Sequence, residues 1–104
     1  MTDSALLIVS ADVIPGKEDE FNRWYNDHHI PGFSGKMPHV KTIRRYFSKR
    51  SFPNFIAIYE YASFDDLKKS LASRESAEAS TDADKQVGVL VKSFSYSSYG
   101  QIYP

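Results

Sequence analysis

The order in which the hydrophobic pattern changes between strand and helix restricts this fold more than any other feature of the sequence. Residues 5–14 are apolar and β-branched and stop at Pro15-Gly16, which predicts a first strand that ends in a turn. Residues 17–29 follow with a helical period. We expect Pro31 to end this helix, because proline has no N–H and disfavours helical geometry in the residue before it. The chain therefore begins with a strand and an amphipathic helix.

A second helix is expected to begin at Ser63. Its side chain suits the N-cap position, and Asp66 occupies the place where a capping box usually has glutamate. Phe64, Leu67 and Leu71 then supply a buried stripe at helical spacing. This segment predicts a capped helix with one face in the core.

The remaining segments complete an alternation of strands and helices. They are predicted strands over residues 40–48, 54–61 and 90–99, and a short helix near residues 82–86. The resulting order, β-α-β-β-α-β, is that of an α+β, ferredoxin-like sandwich, with helices on one face of a four-stranded antiparallel sheet. We expect residues 1–104 to form a single domain of this type, since no repeat or long linker divides them.

The strands are apolar on both faces, although the helices are expected to cover only one. On the first strand, Leu7 and Val9 belong to one face, and Leu6 and Ile8 belong to the other. The third strand repeats this pattern. A chain with no spare element would most simply cover its second face with another copy of itself. The sequence therefore predicts a homodimer.

Charge and composition argue against several classes of protein. The 13 basic residues balance 13 acidic ones, which argues against a strong attraction to nucleic acid or to an anionic membrane. Cysteine is absent, which excludes disulfides, thiolate metal sites and cysteine nucleophiles. No basic leader or long apolar run indicates a signal peptide or a membrane span. We expect a cytoplasmic protein without nucleic-acid or membrane partners.

The segment Arg23–Gly32, RWYNDHHIPG, concentrates the residues best suited to chemistry. In an ideal helix, His28 lies on the same stripe as Trp24 and Tyr25, so periodicity favours it as the buried histidine. His29 is turned away from it by about 100°. A histidine here can transfer a proton near neutral pH, or both histidines can simply interact with the helix dipole.

A pattern of short motifs along the chain resembles that of a known family. The pattern is an aromatic pair on the first helix, a His-x-Pro at its end, a loop, an Arg-Tyr on the second strand and a Tyr-Glu-aromatic on the third. It resembles the EthD-like proteins of the dimeric α+β barrel superfamily. The residues that carry the resemblance are Trp24-Tyr25, His29-Ile30-Pro31, Pro38-His39-Val40, Arg45-Tyr46 and Tyr59-Glu60-Tyr61.

The resemblance implies a homodimer whose sheets form a shared barrel, with a pocket between sheet and helices in each subunit. It favours His29 over His28 as the pocket histidine, and the two indications agree if the helix unwinds before Pro31. His39 departs from the family pattern, which more usually has glycine there. Members of the superfamily include cofactor-independent oxygenases, cyclases, dehydratases and lyases that act on small organic compounds.

We therefore expect an enzyme without a cofactor or metal that transfers protons on an apolar, aromatic or polyketide-like molecule, as a lyase, dehydratase, cyclase or isomerase. The alternatives are a non-catalytic ligand-binding or accessory protein and a cofactor-free monooxygenase. The candidate catalytic residues are His29, His28 and Tyr46. Aromatic residues are expected to bind the substrate: Trp24, Tyr25, Phe33, Tyr59, Tyr61 and Tyr96.

The acids expected to border the pocket are Asp12, Asp27 and Glu60.

Other functional assignments fit this sequence less well. The triplet Asp27-His28-His29 is similar to that of DHH phosphoesterases, but those proteins are much larger and hold it in a loop. Adjacent histidines on a helix diverge, which disfavours a metal site. An RNA-recognition module shares the order of elements, but its aromatic motif is missing here.

Overall fold

A four-stranded antiparallel sheet forms the centre of the fold. The computed structural model describes residues 4–104. The strands are β1 (Ala5–Val13), β2 (Thr42–Phe47), β3 (Phe55–Tyr61) and β4 (Val91–Gly100). They lie in the order β2-β3-β1-β4, with β1 paired to both β3 and β4. This topology confirms the α+β, ferredoxin-like β-α-β-β-α-β arrangement predicted from the sequence.

One face of the sheet packs against the helices and the other does not. Leu7 of β1 is in register with Tyr59 of β3, and both are buried on the helical side. Ile8 and Ile58 are also in register, and they lie on the opposite face, where both are only partly buried. Because side chains alternate along a strand, this second face is an apolar surface that no described residue covers.

The first helical segment continues past the point at which the sequence predicts its end. Helix α1 (Glu18–Trp24) leads directly into a π-helical segment (Tyr25–His29) and a last helical turn, α2 (Ile30–Gly32). The expectation that the helix unwinds before Pro31 is therefore wrong. Within the π segment, the N–H of Ile30 bonds to the carbonyl of Tyr25, five residues earlier. Such a wider turn suits a proline that follows it, since proline has no N–H and its ring crowds the carbonyl four residues earlier.

Helix α3 (Phe64–Leu71) begins as predicted, because the hydroxyl of Ser63 accepts a hydrogen bond from the N–H of Asp66 at 3.0 Å. The predicted buried stripe is only partly correct. Leu67 is fully buried, but Phe64 and Leu71 are each 41% exposed. Phe64 lies beside the end of β4, and Leu71 faces a cavity.

Helix α4 (Arg74–Asp84) begins eight residues before the short helix that was predicted near residues 82–86. The hydroxyl of Ser73 accepts from the N–H of Ser76 at 3.1 Å, which is a second N-cap that the polar composition of this segment conceals. The buried residues of α4 are Ala79, Asp82 and Ala83, at helical spacing. Two alanines allow this helix to lie close to its neighbours, so its buried face carries little hydrophobic signal.

The loop before β2 contains a residue in the left-handed region, His39, with φ +69°. Glycine adopts this conformation without steric cost, whereas residues with a side chain adopt it less readily. The loop of this chain therefore has a left-handed backbone at a residue that carries a side chain. Among residues 4–104, no helix is long and apolar enough to cross a membrane.

Candidate functional site

A cavity of about 220 Å³ lies between the helical face of the sheet and the helices that cover it. Leu7 and Val9 of β1 and Phe94 of β4 supply apolar wall on the side of the sheet. Ala79 and Ala83 of α4 line it on the side of the helices. The other lining residues include two serines of α4 and several residues with hydroxyl or imidazole groups, so the cavity is apolar with a few polar groups, as expected for a small-molecule site.

Two adjacent histidines hydrogen-bond to one buried carboxylate. Nδ1 of His29 lies 2.9 Å from Oδ2 of Asp82, and Nε2 of His28 lies 3.1 Å from Oδ1 of the same residue. His29 and Asp82 are each only 4% exposed, whereas the side chain of His28 is 56% exposed. His29 lines the cavity and His28 does not. The structure therefore places His29 on the cavity wall and His28 at the protein surface.

The hydrogen bond to Asp82 assigns the tautomer of His29. A carboxylate only accepts hydrogen bonds, so Nδ1 of His29 must carry the donated hydrogen. Residues 4–104 offer no partner to Nε2, and this nitrogen is not sealed from the surface, since the only fully buried unpaired side-chain nitrogen or oxygen among them is Nε1 of Trp24. The lone pair of Nε2 is thus unpaired and accessible, on a residue that lines the cavity.

The charge of His29 follows from its surroundings. Burial lowers the pKa of His29 below its ordinary value of 6.5, and the hydrogen bond and the charge of Asp82 oppose this effect. Because burial is the larger cause, the imidazole is neutral at pH 7. A neutral imidazole with a free nitrogen has the form that a general base requires.

Aromatic rings fix the orientation of the His29 ring. The indole of Trp24 stacks on it with centroids 4.6 Å apart and an angle of 24° between the planes. Phe33 lies nearly parallel to it at 6.4 Å. Neither Trp24 nor Phe33 lines the cavity, although both are candidate substrate-binding residues in the sequence. In this arrangement they contact the histidine instead.

A chain of three hydroxyls forms another part of the cavity wall. The hydroxyl oxygens of Tyr25 and Tyr59 lie 2.6 Å apart, and Tyr59 donates to Ser34 at 2.8 Å. Burial raises the pKa of both tyrosines, so both keep their hydrogens at neutral pH. The chain contains three hydroxyl hydrogens but only two internal bonds, so one hydrogen remains available. All three residues line the cavity, which therefore has a hydroxyl donor as well as the imidazole acceptor.

The other predicted site residues are not all brought to this cavity. Tyr96 lines it, and burial, the largest cause, raises the pKa of Tyr96 to about 12. Tyr61 is buried outside the lining and its hydroxyl pairs with Ser70 at 2.8 Å. Tyr46 is in register with Ile56, which turns its side chain to the face of the sheet without helices. Tyr46 is thus remote from His29, because the residues of β2 alternate between the two faces.

The acid of this site is Asp82, which was not among the expected acids. Glu60 accepts a hydrogen bond from Thr42 on the face of the sheet without helices. Oδ2 of Asp12 lies 4.0 Å from Nζ of Lys92. Asp27 is exposed. The only sequence signal for a buried Asp82 is its helical spacing from Ala79, and this signal is weak because the apolar face of the helix consists of small residues.

Comparison with known proteins identifies the fold. No protein-family model matches the sequence, and no curated protein sequence matches it significantly. An EthD family protein from Bacillus halodurans has a similar structure, with a TM-score of 0.71 and 16% identity, over 96% of this chain and 99% of that one. A putative antibiotic biosynthesis monooxygenase from Nitrosomonas europaea gives a TM-score of 0.68 at 18% identity, over 100% and 95% of the two chains.

SnoaB, a cofactor-independent oxygenase from Streptomyces nogalater, has a TM-score of 0.67 at 14% identity, over 98% of this chain and 96% of its own. At such identities the similarity establishes the shared fold, whereas the reaction depends on the residues of each site. The comparisons thus confirm the resemblance to the EthD-like and dimeric α+β barrel proteins at the level of the fold.

The hydroxyl chain can be tested through stability. Replacement of Tyr59 by phenylalanine removes both hydrogen bonds and leaves the buried hydroxyls of Tyr25 and Ser34 without this partner. We expect Tyr59→Phe to lower the free energy of unfolding by about 1–3 kcal/mol in urea denaturation. Tyr96→Phe is the control, because Tyr96 is 49% exposed and its loss should change stability by less than about 0.5 kcal/mol. Equal effects of the two substitutions would contradict the importance of the chain.

Proposed function

We propose that this protein is an enzyme that removes a proton from a small, largely apolar carbonyl or phenol compound, with His29 as the base. The observation that carries the proposal is the hydrogen bond from Nδ1 of His29 to Asp82, which leaves Nε2 unpaired on a residue that lines an apolar cavity. A neutral imidazole in such surroundings is a general base near neutral pH.

The proposed step uses the two polar groups of the cavity together. Nε2 of His29 accepts a proton from a carbon next to a carbonyl group, and the electron pair of the broken C–H bond moves to the carbonyl oxygen. The available hydrogen of the Tyr25–Tyr59–Ser34 chain donates to that oxygen as its negative charge develops. Donors arranged in advance around a developing charge are a large source of rate enhancement.

Asp82 supports the charged form of the base. When Nε2 gains its proton, the ring of His29 becomes an imidazolium that still donates from Nδ1 to the carboxylate of Asp82. The two opposite charges attract each other, and the stacked ring of Trp24 keeps the imidazole plane fixed. This pair therefore stabilises the charge that the reaction creates on the enzyme.

The enolate formed in this step has several products that need no cofactor. Return of the proton to another carbon is an isomerisation, loss of a leaving group from the neighbouring carbon is a dehydration or lyase reaction, and attack on a second carbonyl is a cyclisation. A cofactor-free oxygenase is a second candidate, because the fold is shared with SnoaB, a cofactor-independent oxygenase. In that case the electron-rich substrate itself reduces molecular oxygen. A protein that binds its ligand without turnover is the remaining alternative.

We further propose that the protein is a homodimer whose helix-free sheet faces meet. Support comes from the partly buried apolar side chains of Ile8 and Ile58 on that face. A protein of similar structure from Bacteroides fragilis, with a TM-score of 0.60 at 16% identity over 94% of this chain and 96% of that one, is described as dimeric with a ferredoxin-like fold. Burial of such an apolar face would stabilise the association.

Light scattering tests the dimer. We expect a mass of twice the 11.8 kDa of one chain at micromolar concentration. Ile58→Lys should give the mass of a monomer, because a lysine charge would be buried at the contact. Val89→Lys is the control, because Val89 is 55% exposed outside the sheet and its replacement should leave the dimer intact. A monomeric parent protein would contradict the proposal.

Proton abstraction can be tested without knowledge of the product. A panel of aromatic ketones, β-diketones and phenols is incubated with the protein in D₂O, and exchange of the acidic C–H is followed by NMR. His29→Ala should slow the exchange of an accepted compound by roughly 10²–10⁴-fold, the usual contribution of a general base. Tyr46→Phe is the matched control, since Tyr46 lies on the other face of the sheet and its loss should leave the rate unchanged.

The exchange rate should depend on pH through the protonation of His29. Because burial holds the pKa of His29 below 6.5, the active neutral form should prevail from neutral pH to below pH 6.5, and the rate should fall only at lower pH, as His29 gains a proton. Rates of His29→Ala within a few-fold of the parent would exclude His29 as the base. Consumption of oxygen in step with substrate would favour the oxygenase. Binding of panel compounds without exchange or turnover would favour the ligand-binding protein.

A further inference from the structure

The exposed histidine next to the base shares the carboxylate of Asp82. His28 uses Oδ1, at 3.1 Å, and His29 uses Oδ2, at 2.9 Å. Adjacent residues of an α-helix point about 100° apart, and the wider turn of the π segment reduces this angle. The same local geometry that turns His29 to the cavity therefore also lets His28 reach the same acid from outside.

The bond from His28 fixes a carboxylate that has few other constraints. Among residues 4–104, the two histidines are the only hydrogen-bond partners of the side chain of Asp82. A carboxylate with one partner can rotate about its Cβ–Cγ bond, whereas a second donor at Oδ1 holds its plane. Rotation would misalign Oδ2 and Nδ1 of His29, and with them the direction of the free nitrogen.

We propose that His28 is a positioning residue for the base: it holds Asp82 in place, and when it gains a proton it opposes protonation of His29. This inference rests on the proposed function for its effect on rate, but its effect on the titration of His29 is independent of any substrate.

The electrostatic part follows from the positions of the charges. A protonated His28 offsets the negative charge of Asp82, so the carboxylate stabilises an imidazolium at His29 less strongly. The side chain of His28 is 56% exposed and that of His29 only 5%, so His28 is the histidine in contact with solvent. A positive charge on the outer histidine thus favours the neutral form of the inner one. A positive charge on His28 lowers the pKa of His29, as burial also does.

Other groups face the base from each neighbouring element, and none of them replaces His28 in this role. The hydroxyls of the surrounding tyrosines are neutral at pH 7, since burial raises their pKa values. The guanidinium of Arg45 lies over the ring of Tyr25, 5.4 Å from its centroid, and donates to Asn26 instead of to Asp82. The groups are Asp82 from α4, Tyr25 from the π segment, Tyr59 from β3, Tyr96 from β4 and Arg45 from β2.

The test is a pH titration of the three histidines by NMR in the parent protein and three variants. His28→Gln retains an N–H donor for Asp82 but has no titrating charge, and His28→Ala has neither. His39→Gln is the matched control, because His39 is an exposed histidine 4.0 Å from Asp66 and distant from this pair in sequence. We expect the titration midpoint of His29 to move to higher pH in both His28 variants and to stay unchanged in His39→Gln.

Rate measurements separate the two parts of the role. At a pH above both titrations, His28→Gln should keep the exchange rate within about twofold of the parent, while His28→Ala should lose up to about 100-fold through misalignment of the base. An unchanged or lower midpoint of His29 in folded His28→Gln would overturn the inference, even if His29→Ala abolishes activity. Should His28→Gln fail to fold by circular dichroism, the titration of His28→Ala decides the question. If both variants are unfolded, His28 has a structural role and the inference is overturned.

Discussion

The hydrogen bond between His29 and Asp82 connects the two helical parts of this small domain. It joins the π segment, which continues helix α1, to α4, the last helix of the chain, and His29 also lines the cavity. Both partners are 4% exposed. A buried carboxylate without hydrogen-bond donors is strongly unfavourable, so the two histidines stabilise the buried charge of Asp82. This pair therefore attaches α4, whose Ala79 and Ala83 line the cavity, to the π segment.

The π segment determines which residues the pair can bring together. It places Tyr25 and His29 on the buried side and leaves His28 at its edge. Tyr25 then reaches Tyr59 on β3, and through it Ser34 in the 3₁₀ turn Ser34–Lys36. The π segment thus supplies the imidazole acceptor and the first hydroxyl of the chain, whose available hydrogen is on Ser34 because Tyr25 donates to Tyr59 and Tyr59 donates to Ser34. Irregular helical turns of this kind occur frequently at functional sites.

The sheet was predictable because its signal is local. Alternating side chains on β1 and β3 determine the strands, and the turn at Pro15-Gly16 separates the first strand from the helix. The cap at Ser63 was predictable for the same reason, since its hydroxyl acts only three residues away.

The site was less predictable because it depends on contacts between distant residues. Helix phase assigned the buried position to His28, since regular periodicity does not include a π turn. The resemblance to EthD-like proteins favoured His29, which the structure places on the cavity wall, although the reason given, an unwound helix end, was wrong. Asp82 lies 53 residues from His29 in the sequence, in a helix whose alanines give little hydrophobic signal. Tyr46 was misplaced because the resemblance carried no information about which face of β2 it occupies.

The central claim is that His29 is a neutral base with its free nitrogen in the cavity. It is tested most directly by ¹⁵N NMR of the histidine rings at pH 7, which reports the protonation of each nitrogen separately. The account predicts that His29 carries its hydrogen on Nδ1, bonded to Asp82, and that Nε2 has the shift of an unprotonated nitrogen. An Nε2–H tautomer, or an imidazolium with both nitrogens protonated, would contradict it.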